Sequence, residues 1–493
     1  MSTTVLTSIP TIDYIRILPE IVIGVFGIIV MMADPFIPQQ NSKKPLGYIA
    51  VAGMIVTLLS ILCQAHYAGI SDPTLGTGWF GMIRIDTFSL FFHTLIALIT
   101  LAVLLVSFEY MDVQRMRSGE YYGIILFASL GMMLMSSATE LVMIFIALEI
   151  SSIGSYVLAA MRRRIAESAE SSLKYFLLGS FATAFFLYGV ALIFGATGST
   201  NVYTIASAIR AMSPVPPMIF LAVALMFIGL GFKVAAAPFH VWTPDVYEGS
   251  PAPIVALMST GPKAAAFAVL LRVLFAMDAP GWFWIVWVSA ALSMTIGNLG
   301  ALVQNNVKRL LAYSSIAHAG YLLVAFAAAR DTGISAAIFY TATYAAMNVG
   351  AFAIVSHFAN AGEKYVNLDD YAGLGRRSPM LAGILTVFLL SLIGIPITGG
   401  FFAKFYVFTS ALQSHLVWLT VIGVINSAIG AYYYLRIIVF MYMRDEREEV
   451  PMNRIPFGLA VALAMCLVFT IYMGVLPNRF IDYALQSAHD LVR

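Results

Sequence analysis
The chain has 493 residues, 60% of them hydrophobic and 11% charged, with a formal net charge of +2. Soluble domains carry about 25% charged residues, so this composition excludes a water-soluble globule and fits a chain dissolved in a bilayer. The net charge gives no sign of a nucleic-acid partner, and the positive residues carry information by position rather than by sum.

A spanning helix needs about 20 mostly apolar residues. Fourteen such segments are predicted: 14–34, 46–67, 86–109, 120–138, 140–160, 168–195, 215–237, 252–277, 282–303, 309–329, 334–358, 378–411, 415–441 and 455–476. The first contains Pro19 and Glu20, has no basic residues ahead of it and no small-residue cleavage site behind it. It reads as a retained helix rather than a signal peptide. Connections are short and no composition shift marks a linker, so residues 1–493 read as one all-α membrane domain. Cys63 and Cys466 sit in apolar runs without metal-ligand spacing and read as small buried hydrophobes.

Lys and Arg are unevenly shared between the two sides. Loops after odd-numbered segments hold fifteen: Lys43, Lys44, Arg115, Arg117, Arg162, Arg163, Arg164, Lys308, Arg309, Lys364, Arg376, Arg377, Arg444, Arg447 and Arg454. Loops after even-numbered segments hold three: Arg84, Arg210 and Arg330. By the positive-inside rule the odd loops are cytoplasmic and both termini lie outside.

Segments four to eight (about 120–277) and nine to thirteen (about 282–441) form two groups of five. Five is odd, so the second group is inverted relative to the first, a transporter signature. The fourth helix of each group is interrupted. Gly229-Leu230-Gly231-Phe232-Lys233 runs into Pro238 in one, and Gly394-Ile395-Pro396-Ile397-Thr398-Gly399-Gly400 precedes Lys404 in the other. Broken helices at matching places free backbone groups that only a cavity or water satisfies, so they point to an ion path.

Ionisable groups at mid-bilayer are costly, about 2.5–3.5 kcal/mol each on insertion scales. Glu149 lies in the middle of the fifth segment, with Ser152 and Tyr156 on its face. Lys233 precedes the first break and Lys404 follows the second. Lys263 is eleven residues into the eighth segment, roughly 16 Å deep at 1.5 Å per residue. A desolvated lysine can load and release a proton near neutrality. Lys174 is nearer a helix end and has Glu170 at i−4, so an ordinary helix pair accounts for it equally well. Tyr313, Ser314, His318, Thr341, Tyr344, Asn348 and Asn426 are polar groups able to bridge these charges. Of these His318 titrates nearest neutrality, although a lone histidine is as often a packing residue. Arg272 and Arg436 lie toward helix ends and suit headgroup or interhelical contacts. No phosphate-cradling loop, metal-spaced His/Cys cluster or nucleophile triad is found, so the chain moves an ion rather than transforming a substrate.

Several stretches resemble a known family. Lys174-Tyr175-Phe176-Leu177-Leu178-Gly179-Ser180 and the run from Lys233 through Phe239-His240-Val241-Trp242-Thr243-Pro244-Asp245-Val246-Tyr247-Glu248-Gly249 are similar to the N subunits of NADH-quinone oxidoreductase, respiratory complex I. The L and M subunits and multisubunit Na⁺/H⁺ antiporters share the Phe-His-x-Trp-x-Pro-Asp core but typically lack Val-Tyr-Glu-Gly. The resemblance implies fourteen helices in two inverted units, and a proton channel in the membrane arm of a bacterial inner-membrane enzyme. By the same resemblance, Glu149 and Lys174 form a charged pair, Lys233 is a central switch, Lys263 a central relay and Lys404 the exit-side group. His318 and Tyr313 are further candidates for the path. No cofactor is expected in this chain; NADH, FMN, iron–sulfur clusters and quinone belong to partner subunits. The partners implied are other membrane-arm subunits, including antiporter-like ones, and membrane lipid. A multisubunit Na⁺/H⁺ antiporter is the alternative reading.

Overall fold
The structure is a computed structural model that describes residues 11–38, 40–67, 77–162, 165–277, 281–328, 330–446 and 454–492. Arg163, Arg164, Arg447 and Arg493 lie outside the described residues. Twenty α-helices occur among the described residues. The first ten are α1 (Thr11–Arg16), α2 (Leu18–Ala33), α3 (Lys44–Tyr67), α4 (Thr87–Val113), α5 (Glu120–Ser137), α6 (Leu141–Ala159), α7 (Ala166–Thr197), α8 (Val202–Ala211), α9 (Pro217–Val234) and α10 (Thr243–Gly249). The others are α11 (Ala252–Met277), α12 (Trp282–Leu302), α13 (Val307–Ala327), α14 (Arg330–Ala359), α15 (Leu374–Arg377), α16 (Pro379–Ile393), α17 (Gly399–Gln413), α18 (Val417–Met443), α19 (Phe457–Val475) and α20 (Pro477–Val492). A two-stranded antiparallel hairpin, β1 (Thr77–Gly78) with β2 (Ile83–Arg84), precedes α4.

Twelve helices among the described residues are long and apolar enough to cross a membrane. The predicted segments at 120–138 and 378–411 are not among the twelve. The first is α5, diluted by Glu120, Tyr121, Tyr122 and two closing serines. The second is split into α16 and α17 by residues 394–398. Lys308 and Arg309, predicted in a loop, are in the first turn of α13, where Asn306 caps the Arg309 N–H at 3.2 Å. Neither cysteine forms a disulfide.

Burial sorts the helices. The apolar stretches of α11, α13 and α14 are 100%, 94% and 94% buried within the chain, whereas those of α2 and α18 are only 28% and 33% buried. So α11, α13 and α14 form the interior, and residues such as Ile28, Leu62, Trp418 and Ile425 on outer helices turn apolar surface outward. Lipid or a neighbouring apolar chain is the only medium that accepts such a surface.

Charged groups lock the two ends of the interior. At one end Asp86 caps α4 through Ser89 N–H at 2.7 Å and receives Arg272 of α11 at 3.2 Å. Arg272 therefore takes the interhelical role of the two open to it. At the other end, Glu363 gathers groups from four distant stretches. It accepts from Tyr110 Oη of α4 at 2.7 Å, from Lys308 Nζ of α13 at 2.6 Å and from the Ala252 N–H that opens α11 at 2.9 Å. Arg162 adds an ion pair at 2.8 Å. Burial opposes ionisation of Glu363, but the charges of Lys308 and Arg162 outweigh it and hold the carboxyl below its ordinary value of 4.5. The stability this anion contributes is therefore complete above that value and is lost as the pH falls below it. Glu363→Gln strands two buried cations, a change worth about 3–5 kcal/mol. The assembled complex should then unfold at a lower temperature in a melting scan, with the wild type approaching the variant as the scan buffer is acidified.

Candidate functional site
Lys233, Lys263 and Lys404 are all buried inside the bundle, and helix breaks position the first and the last. Helix α9 stops at Val234 because Ala235 turns left-handed, with φ of 60°. The backbone groups this frees are capped by side chains. Trp242 Nε1 donates to the Phe232 carbonyl at 3.1 Å, Ser289 Oγ donates to the Ala237 carbonyl at 2.6 Å, and the Ala237 N–H donates to Ser293 Oγ at 2.7 Å. Both serines belong to α12. In the second break, α16 ends at Gly394 with φ of 94°, a conformation that favours glycine. A Cβ at Gly400 would run into the Ser391 carbonyl, so glycine there lets α17 close onto α16.

Lys233 sits in the last turn of α9, 3% exposed, and donates to Ser152 Oγ of α6 at 2.9 Å. Glu149 lies one turn before Ser152 on the same helix and is half-buried. Its Oε1 is buried without a protein hydrogen-bond partner. The predicted Glu149–Lys174 ion pair is not formed. Lys174 instead holds Glu170 at 2.7 Å and Asp245 at 2.8 Å. The helix pair read from spacing is thus present, with a second carboxylate from α10 added. These groups line a polar cavity of about 470 Å³ together with Glu248, Lys308 and Arg309. Arg309 bonds both Asp245 and Glu248 at 2.7 Å. Burial works against the Asp245 carboxylate, yet hydrogen bonds from Lys174 and Arg309 hold its carboxyl below the ordinary value.

Lys263, 2% exposed on α11, donates to the hydroxyl and the carbonyl of Ser315 on α13, the latter at 3.2 Å. Tyr344 Oη of α14 donates to the same Ser315 Oγ at 2.8 Å. The Tyr344 ring lies 5.2 Å from that of His318. His318 Nδ1 meets Tyr340 Oη at 2.6 Å and Nε2 meets Tyr434 Oη at 3.2 Å. Ser314 bonds Tyr434 in turn. Tyr321 lies 5.7 Å from His318 on its other side, and Lys404 Nζ rests 4.8 Å from the Tyr321 ring centre. Lys404 also donates to Ser427 Oγ and to the Ile393 carbonyl that ends α16, both at 2.8 Å. Lys263, Ser315, Tyr344, His318, Tyr321 and Lys404 therefore form one polar line through apolar helices.

Tyr313 does not join this line; its ring packs over Gly300 of α12. Ser315 and Tyr321 of this line, and Tyr340 and Tyr434 that bond His318 beside it, were not singled out from sequence. Asp245, Arg309 and Tyr247 were also missed as site residues, although Asp245 and Tyr247 stand in the quoted run. Tyr247 is fully buried beside Ser315 and Tyr344. No spacing signal marks these residues, because their partners lie tens of residues or more away in sequence.

The family described as "NADH:quinone oxidoreductase/Mrp antiporter, TM" matches residues 138–430, which contain every group of the line. NADH-quinone oxidoreductase subunit N 2 of Koribacter versatilis is 84% identical over 486 residues, covering 99% of both chains. The chain belongs to the N subunits of NADH-quinone oxidoreductase. A chain of respiratory complex I from Thermus thermophilus with bound aureothin is 36% identical, with a TM-score of 0.79, covering 94% of this chain and 98% of that one. A chain of the Mrp complex from Dietzia sp. DQ12-45-1b has a TM-score of 0.84 over 98% of this chain and 97% of that one, at 19% identity. That likeness shows the fold alone, so the antiporter alternative gains nothing beyond shared architecture. An N subunit is a multi-pass component of the membrane arm of a proton-translocating enzyme and works beside other subunits.

The α9 break of this N subunit depends on caps from α12. Ser293→Ala leaves the Ala237 N–H buried and unpaired, a loss of about 1–3 kcal/mol. The expected outcome is a lower melting temperature of the purified complex, with Ser293→Thr, which keeps the hydroxyl, closer to wild type.

Proposed function
We propose that protons cross this N subunit along Lys233, Lys263, His318 and Lys404, with Glu149 and Lys174 setting the charge at the start of the line. The observation that carries the reading is the polar line itself: buried lysines joined by Ser315, Tyr344, His318 and Tyr321 inside helices otherwise apolar. Among the described residues no acid bonds it between Lys263 and Lys404, and each lysine rests on hydroxyl and carbonyl oxygens instead. Such groups accept from an ammonium or an amine alike, so a proton can leave without stranding the side chain.

The cavity at Lys174 and Asp245 is the inner mouth. Lys174 has a choice of carboxylates there. Paired with Asp245 and Glu170, it leaves Glu149 free to face Lys233 and favour a proton on it. A swing of the ammonium to Glu149 would withdraw that support. Moving one unit charge a few ångström in a low-dielectric site alters a neighbour's energy by several kcal/mol, enough to drive a proton onward.

In this reading the chain has fourteen crossings, with the short α5 and the paired halves α16 and α17 added to the twelve. It is built from two inverted five-helix units, α5–α11 and α12–α18, each with one broken helix. Its membrane is the bacterial inner membrane and both termini face outward, supported by the fifteen-to-three split of Lys and Arg. Its partners are other antiporter-like membrane-arm subunits and lipid. NADH, FMN, iron–sulfur clusters and quinone are used by other subunits, whose electron transfer supplies the energy.

The test is NADH-driven proton pumping by the complex reconstituted in vesicles. Lys233→Ala and Lys263→Ala should each lower the pumped protons per NADH while the complex assembles normally, and His318→Ala should slow pumping. Tyr313→Phe should leave it unchanged. Wild-type pumping by both lysine variants at wild-type assembly would remove the path.

A further inference from the structure
A second buried ionisable pair lies apart from the lysine line, on helices α2 and α4 and outside the segment that matches the family. Glu20 is 4% exposed and His93 is fully buried. Glu20 Oε1 lies 3.3 Å from His93 Nε2, and neither carboxyl oxygen has another side-chain hydrogen-bond donor among the described residues. The ring nitrogens of His93 face acceptors. Nδ1 is 3.3 Å from Gln64 Oε1 of α3, and Nε2 is 3.1 Å from the Met133 carbonyl of α5. The Gln64 amide cannot turn to offer its NH₂ group, because that group already donates to the Arg16 carbonyl.

Counting donors and acceptors settles how many protons the site needs. An imidazole with one N–H leaves its other nitrogen bare against an oxygen, either Nδ1 against Gln64 Oε1 or Nε2 against the Met133 carbonyl and Glu20. Two arrangements with one more proton relieve the conflict, the second leaving the Met133 carbonyl to its donors Ser136 and Ser137. Either the ring carries both protons beside an ionised Glu20, or the ring keeps Nδ1–H while a protonated Glu20 donates to Nε2. They differ only in where one proton sits along a 3.3 Å contact. Without that proton, the buried carboxylate would either have no donor or share an Nε2–H with the Met133 carbonyl while Nδ1 stood bare against Gln64 Oε1, which an apolar interior disfavours. The other charges nearby are already matched. Asp86 at the start of α4 is paired with Arg272 of α11 and Arg84 of β2, and Arg16 of α1 is paired with Asp13 at 2.6 Å.

We propose that Glu20 and His93 form a proton-binding site that holds one shared proton between carboxyl and imidazole. The site lies near the Asp86 end of α4, and so at the end of the bundle opposite the Lys174 cavity. The far end of α4 carries Tyr110, which joins Lys308 beside that cavity through Glu363. The Met133 carbonyl that touches His93 is one turn from the Ser136 carbonyl held by Arg272 at 3.3 Å. A change in the shared proton is thereby felt next to α11, the helix that carries Lys263.

Infrared difference spectra of the purified complex between pH 5 and pH 9, with ¹³C-labelled glutamate, test the site independently of pumping. The wild type should show a glutamic-acid carbonyl band that moves together with imidazole bands. Glu20→Gln should abolish both features, and His93→Gln should abolish the imidazole bands and shift the titration of the carbonyl band. A wild-type spectrum from which Glu20→Gln removes nothing would overturn the proposal, as would a carbonyl titration that His93→Gln leaves unchanged. Should Glu20→Gln fail to assemble, the His93→Gln comparison decides alone by the same criterion.

Discussion
Inside a bilayer, every backbone N–H and C=O must find its partner within the protein, and this requirement governs the N subunit wherever a helix is broken. The α9 break is held by Trp242 from its own chain segment and by Ser289 and Ser293 from α12. The α16–α17 break is held by Lys404 on the Ile393 carbonyl and by Ser391 Oγ, which accepts from the Gly400 N–H at 3.1 Å. Each break costs helix hydrogen bonds, and each is tolerated because a side chain fills the gap. Lys404 stands beside its gap for the same reason: the end of α16 supplies a carbonyl oxygen that a continuous helix keeps for itself.

The charges divide into two kinds. Arg272 with Asp86, and Lys308 and Arg162 with Glu363, are matched at the ends of the interior helices and join stretches far apart in sequence. Lys233, Lys263 and Lys404 rest on serines and carbonyls, each without a carboxylate in ion-pair contact among the described residues. The first kind fixes α4, α11 and α13 against one another. The second kind is free to change its proton inventory without breaking a salt bridge, which separates holding the fold from moving charge.

Composition alone placed the chain in a membrane, and twelve of the fourteen predicted segments are apolar enough to cross one. The two exceptions are instructive. α5 carries enough tyrosine and serine to dilute its hydropathy, and 378–411 hides a five-residue break that a hydropathy run passes over. Lysines at breaks were legible because charge in an apolar run is conspicuous. Tyr340, Tyr434 and Ser315 were not, since tyrosine and serine are common in such helices and only packing reveals which face one another. The partner of Lys174 was half legible: Glu170 follows from i−4 spacing, whereas Asp245 arrives from α10 and no periodicity predicts it.

Lys404 has a consequence of another sort. Its ammonium caps the last carbonyl of α16, where the aligned peptide dipoles of a helix concentrate roughly half a negative charge. The lysine thus has a counter-charge made of main chain. Unlike a glutamate or aspartate, that partner takes up no proton of its own at any physiological pH, and no side-chain substitution deletes it. A proton arriving at or leaving Lys404 meets a field that stays constant through the cycle. Every variation in the energy of that step must then come from the lysine's other neighbours, Tyr321 and Ser427, or from how far α17 stands from the end of α16.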